Sequence, residues 1–191
     1  VSGTIENIST ISGEVIFQAH PTPVEINAYI DGQVVEVIPS EGCVVQSKAA
    51  LIQGIFGLGG ETRGTLIMGV ESPQDALSAE NITADMAGKI IVGGSYMTRD
   101  VVQKAIDIGA AGLITGGFDY NDIKDILGYE VGVAITGGED LGLTIVVTEG
   151  FGQIQMAPAT FELFKRFDGN PASINGATQI RAGVIRPEAV I

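Results

Sequence analysis

Tryptophan is absent, and histidine and cysteine occur once each in 191 residues, as His20 and Cys43. One cysteine excludes an intramolecular disulfide and fits a reducing compartment, so a cytoplasmic location is expected. One histidine, flanked by Pro21 and Pro23 in the first half of the chain, gives a nucleophilic Ser or Cys no histidine base nearby and founds no histidine metal cluster. Cations are scarce as well: 10 Lys and Arg stand against 23 Asp and Glu, for a net charge of −13 and a pI near 4.2. Such a surface repels phosphate backbones and anionic headgroups, which excludes nucleic acid and anionic membrane as expected partners. No apolar run reaches the roughly 18 to 20 residues of a membrane span, and no basic n-region with a following apolar segment marks export. Val1-Ser2-Gly3 sits inside a strand-and-turn pattern without an initiator Met, as expected of a piece of a longer protein.

Glycine and β-branched residues are plentiful. The 27 glycines against 7 prolines, with 45% hydrophobic residues and a mean hydropathy of +0.33, describe a folded chain rich in tight turns. Its length suits one large domain or two small ones. An internal repeat appears at an offset of 29, matching Gly3-Thr4-Ile5-Glu6-Asn7-Ile8, closed by Gly13-Glu14-Val15, with Gly32-Gln33-Val34-Val35-Glu36-Val37, closed by Gly42-Cys43-Val44. Both copies read Gly-x-β-x-x-β, with β standing for Ile or Val, and imply two similar β units.

The stretch Ala28-Tyr29-Ile30-Asp31-Gly32-Gln33-Val34-Val35-Glu36-Val37, followed by Glu41-Gly42-Cys43-Val44, resembles half of a biotinyl/lipoyl-type barrel-sandwich hybrid. The resemblance covers residues 1–50 and implies two quasi-equivalent halves joined by a hairpin at His20-Pro21-Thr22. Pro21 then stands at the carrier-lysine position, so no covalently attached cofactor is expected. Lys48 follows the second copy and reads as a solvated strand lysine. Gly57-Leu58-Gly59-Gly60 precedes a strand rather than a helix, so it reads as a hairpin and not as a phosphate loop.

Past residue 75 the pattern changes. Lys89 to Gly93, Leu113 to Thr115 and Val131 to Thr136 read as buried strands, separated by a helix capped at Thr98 and one capped at Asp119. A strand from Leu143 to Thr148 follows too closely for another full helix and is expected to be antiparallel or at an edge. A last helix opens at Met156-Ala157-Pro158, and Asn175-Gly176 signals a two-residue hairpin. The expected fold is therefore α+β in two domains: a β barrel-sandwich hybrid over 1–75, then a small α/β three-layer domain with a mostly parallel sheet over 76–191. The phrases Gly-Lys-Ile-Ile-Val-Gly-Gly at 88–94, Thr-Glu-Gly-Phe-Gly at 148–152 and Ser-Ile-Asn-Gly-Ala-Thr-Gln at 173–179 resemble an uncharacterised conserved prokaryotic family, which implies no activity.

Three strands end on a glycine pair, Gly93-Gly94, Gly116-Gly117 and Gly137-Gly138, at spacings of 23 and 21 residues. Glycine pairs at the carboxyl ends of adjacent parallel strands clear side chains from the crevice where open α/β sheets bind ligands. With Ser95 and Arg181 they form the candidate ligand site, and Glu139 and Asp140 are the candidate ligands of a divalent metal. Two function classes follow. One is a binding or assembly module without covalent cofactor, taking a protein partner or a homo-oligomer; the other is an enzyme or sensor binding a phosphorylated or anionic small molecule at the glycine edge, with a divalent metal.

Overall fold

The computed structural model describes residues 2–21, 28–127, 141–179 and 183–191. Its first elements are two antiparallel hairpins, β1 (Gly3–Ile8) with β2 (Val15–Ala19), and β3 (Gln33–Ile38) with β4 (Gly42–Gln46). Residues three apart in a regular strand face opposite ways, so the Gly-x-β-x-x-β motif would split Ile5 from Ile8. A bulge at Glu6 inserts one residue and returns Ile8 to the side of Ile5; the bulge at Val35 does the same for Val34 and Val37. Phe17 and Val15 lie opposite Ile5 and Ile8, as Val45 and Cys43 lie opposite Val34 and Val37. The repeat is thus one bulged ribbon made twice, with four apolar side chains gathered on one face. Gly3 and Gly32 open it for a common reason, since a Cβ at either would collide with the carbonyl of Gln18 or Gln46 on the return strand. The return strands correspond at an offset of 28 rather than 29, because the second turn is one residue shorter; Val15 matches Cys43, not Val44.

The rest of the described chain is mixed α+β, mostly strand, with three α-helices and a mixed sheet. Its strands are β5 (Leu51–Gln53), β6 (Phe56–Leu58), β7 (Glu61–Met68), β8 (Ala76–Leu77), β9 (Lys89–Val92), β10 (Tyr96–Met97), β11 (Gly112–Phe118), β12 (Thr144–Phe151), β13 (Pro171–Asn175) and β14 (Glu188–Val190). The helices are α1 (Arg99–Ile108), α2 (Tyr120–Leu127) and α3 (Pro158–Arg166). Strands β7, β9, β11 and β12 run parallel in that order. On one side β13, β14 and β5 continue the sheet antiparallel; on the other, β6 pairs antiparallel with β12. Only Gly54 and Ile55 separate β5 from β6, so a single run joins both ends of this order. At the crossing the Gly54 N–H donates to the Pro187 carbonyl at 2.7 Å and the Ile55 N–H to that of Val147 at 2.8 Å. The sheet is thereby rolled closed.

Alternation then sorts the core into an inside and an outside. Leu66, Ile90, Val92, Ile114, Val146, Ile174 and Ala189 pack on the inner face with Phe161 and Phe164 of α3, while Ile91, Leu113, Ile145 and Val147 pack outward against Val101, Val102 and Ala105 of α1 and Ile123 of α2. β11 is buried throughout, as a parallel strand covered on both faces must be. α1 ends on Gly109 in the left-handed region, at φ 72°, where glycine carries no Cβ penalty. α2 starts where expected, with the Asn121 N–H bonded to the Asp119 carboxylate at 2.7 Å.

Several expectations need correction. The sheet takes strands from both sides of residue 75, since β5, β6 and β7 share it with β9 to β14. Gly57–Gly60 forms no hairpin: β6 pairs with β12, and β7 with β13 and β9. Asn175-Gly176 is not a two-residue hairpin either, because β13 pairs with β14 across a long connection; Asn175 instead accepts the Ala177 N–H in a side-chain turn. The strand from Leu143 is neither antiparallel to its neighbour β11 nor at an edge, as β12 runs parallel to β11 with β6 beyond it. The strand expected over Val131 to Thr136 lies outside the described residues.

Candidate functional site

Two of the three glycine pairs are neighbours, as the spacing requires. The Gly93 N–H donates to the Ile114 carbonyl at 2.7 Å, and the Gly116 N–H to that of Gly94 at 2.8 Å. They do not line a crevice. Gly93, Gly94, Gly116 and Gly117 are all buried, and the chain itself occupies the space that their missing side chains leave. A Cβ on Gly94 would lie 2.5 Å from the Asp75 carbonyl oxygen and 2.6 Å from that of Ser72; one on Gly116 would lie 2.6 Å from the Met156 nitrogen, and one on Gly117 would overlap the Gly152 carbonyl. The glycines thus let two backbone segments, 72–75 and 152–156, lie directly on the sheet. They also mark a level where the sheet is irregular. β9 breaks off there and resumes as β10, and β11 shifts register against β12 between Thr115 and Gly117.

The polar residues around the pairs are committed to this architecture. The buried Ser95 hydroxyl donates to the Gln74 carbonyl at 2.7 Å, and its N–H to the Asp75 carbonyl at 2.9 Å. Thr148 donates to the Thr115 carbonyl at 3.3 Å, and the Glu149 carboxylate accepts the Ala157 N–H at 2.9 Å, just ahead of α3. The start of α1 is also engaged, as the Arg99 N–H meets the Asp122 carboxylate of α2 at 3.3 Å. Gly137, Gly138, Glu139, Asp140 and Arg181 lie outside the described residues. Among the described residues no three or more His, Cys, Asp and Glu side chains come together as a metal site.

Sequence reasoning missed the outer face of β7, β13 and β14. Register places Glu61, Asn175 and Glu188 in one row across these strands, and Arg63, Ser173 and Val190 in another on the same face. The segment from Tyr29 to Asp31 is strapped over it. Ser173 donates its hydroxyl to the Tyr29 carbonyl, and Arg63 pairs with Asp31. The Tyr29 hydroxyl is buried without a hydrogen-bond partner among the described residues, and burial first, then the carboxylates of Glu188 and Glu61, push its pKa well above the ordinary phenol value. No local motif announces this strap, because its partners are more than 30 and more than 140 residues away in sequence.

Most of the exposed large apolar side chains among the described residues are on the hairpins. Ile5, Ile8, Val15, Phe17, Val34 and Val37, the side chains that the two bulges align, are 45–69% exposed. No helix among the described residues is long and apolar enough to cross a membrane. Comparison with known proteins returns no match to a protein-family model, a curated protein or a solved structure.

Proposed function

We propose that this chain is a binding and assembly module without a covalent cofactor, and that its hairpins associate with those of a second copy. The observation that carries the reading is the pair of equivalent apolar faces, Ile5/Ile8/Val15/Phe17 and Val34/Val37/Cys43/Val45, most of which remain exposed. A two-stranded ribbon is marginal in water until a further apolar surface covers it. The faces contain no charged side chain, so a net charge of −13 does not oppose close approach there. Two quasi-equivalent faces on one chain also suit a twofold dimer, in which the first hairpin of each copy covers the second of the other. The apolar area concerned is on the order of several hundred Å² per copy, at the lower end of what a specific interface buries. The kinship of residues 1–50 with biotinyl/lipoyl-type barrel-sandwich hybrids, as a β domain distinct from the α/β part, belongs to the same proposal: two half-units complete one sandwich.

The glycine edge gives the small-molecule alternative little support, because the space over Gly94, Gly116 and Gly117 is taken by backbone. Analytical ultracentrifugation tests the assembly reading. The expected result is a concentration-dependent dimer at micromolar protein, converted to monomer by Phe17→Glu combined with Val37→Glu, with the thermal transition of the barrel unchanged. A strictly monomeric wild-type chain at high micromolar concentration rejects it.

A further inference from the structure

A cleft of about 260 Å³ opens beside the strap, between the Ser47–Ala49 segment and the start of β13. Its apolar lining comes from Ile30, Phe167, Pro171 and Val190, and its charged groups are Lys48, Arg63 and Asp31. On a chain with 10 cations against 23 acids, two cations and one carboxylate facing one cavity is a local reversal of sign. Asp31 is already engaged by Arg63, while Lys48 has no carboxylate within ion-pair distance among the described residues. We propose that this cleft binds a small monocarboxylate with a compact apolar body.

The chemistry selects that class in three steps. The uncompensated Lys48 ammonium favours an anion, and the N–H groups of the Arg63 guanidinium that Asp31 leaves free offer it a second donor. The apolar residues of the lining favour a hydrocarbon body, which inorganic phosphate lacks, while Ser47 and Asn170, which also line the cleft, add hydrogen-bonding groups for the carboxylate. The volume sits just below the range for drug-sized ligands, which limits the occupant to roughly ten non-hydrogen atoms. The site is built from both parts of the chain: Lys48 and Asp31 flank the second hairpin, and Arg63, Phe167 and Pro171 belong to the barrel.

Titration calorimetry and saturation-transfer NMR with isovalerate and 3-phenylpropionate test the proposal, with the matching primary amides and inorganic phosphate as competitors. Saturable binding of the carboxylates is expected, with the amides weaker by roughly tenfold or more, as loss of a charge-assisted contact implies. Lys48→Gln should weaken carboxylate binding by a similar factor, Asp31→Asn should tighten it by freeing Arg63, and Lys104→Gln on the exposed side of α1 should leave it unchanged. Circular dichroism on each variant separates lost binding from lost fold. The proposal fails if the wild-type chain binds no carboxylate saturably, if amides or phosphate bind as well as the acids, or if Lys104→Gln costs as much as Lys48→Gln.

Discussion

The hairpins over residues 3–46 and the rolled sheet over 51–190 use the same side chains to opposite effect. Val and Ile dominate both, yet Val37 is 69% exposed where Ile114 is fully buried. The difference lies in neighbours. The parallel strands β9, β11 and β12 each have a partner on both sides and are buried on both faces, whereas among the described residues each hairpin is two strands with two open edges and two open faces. Apolar content alone therefore does not decide burial. Closure does, and in the barrel it depends on one run, 51–58, that is long enough to reach β14 with its first half and β12 with its second.

Substitutions of one kind in both regions should separate them. The largest effect is expected at Gly117, where Ala would drive a Cβ into the Gly152 carbonyl, a backbone contact that no side-chain rotation relieves. Gly117→Ala should destabilise the barrel by about 3 kcal/mol or more, as overpacking against backbone does. Urea unfolding that shows a loss below 1 kcal/mol would mean that residues 152–156 are not held on the sheet. Phe164→Ala on α3 should cost about 3 to 5 kcal/mol, since the ring is fully buried and its removal leaves a cavity. The equivalent change in the other region, Phe17→Ala, should cost the isolated chain under about 1 kcal/mol, because that ring is half solvated already. Under associating conditions the gap between the two should narrow if the hairpin face is covered. Equal costs in dilute monomer would show instead that Phe17 is packed within its own chain.

What could be read from the sequence follows from the range of each signal. Local signals held: Thr98 and Gly109 bracket α1, Asp119 caps α2, and Ile114 and Val92 lie in the buried parallel strands expected of them. Signals that depend on pairing partners did not. Asn175-Gly176 has the composition of a tight hairpin, but Ile174 finds its partner at Ala189, because β13 is drawn between β7 and β14. The repeat was legible, yet the bulge that explains its spacing was not, because a bulge exists only relative to the opposite strand. The glycine pairs were legible as places without side chains; what fills the gap, the carbonyls of Ser72, Asp75 and Gly152, comes from segments with no mark of that role. The strap at Tyr29 and the cleft at Lys48 escaped for the same reason.

The smallest expected effect sharpens the comparison where the two regions meet. Tyr29 lies on the strap, with a buried hydroxyl that lacks a partner among the described residues and a pKa raised by burial and then by Glu188 and Glu61. Raising the folded pKa favours the neutral phenol in the folded state. Its contribution is therefore complete below the unfolded value of about 10 and is lost as pH climbs from there through the folded value, because the unfolded chain sheds its proton first. Tyr29→Phe removes an unsatisfied buried group while keeping the ring, so at neutral pH it should leave stability unchanged or raise it by about 1 kcal/mol. The strap should stay in place, since the Ser173 bond goes to the Tyr29 carbonyl and Asp31 still meets Arg63. Spectrophotometric titration of the four tyrosines should show one strongly displaced ionisation in the wild type that the variant lacks, together with a flatter alkaline loss of stability. A clear drop in the stability of Tyr29→Phe at neutral pH would show that the hydroxyl holds the hairpin region to the barrel, and that the two regions are coupled more tightly than their burial suggests.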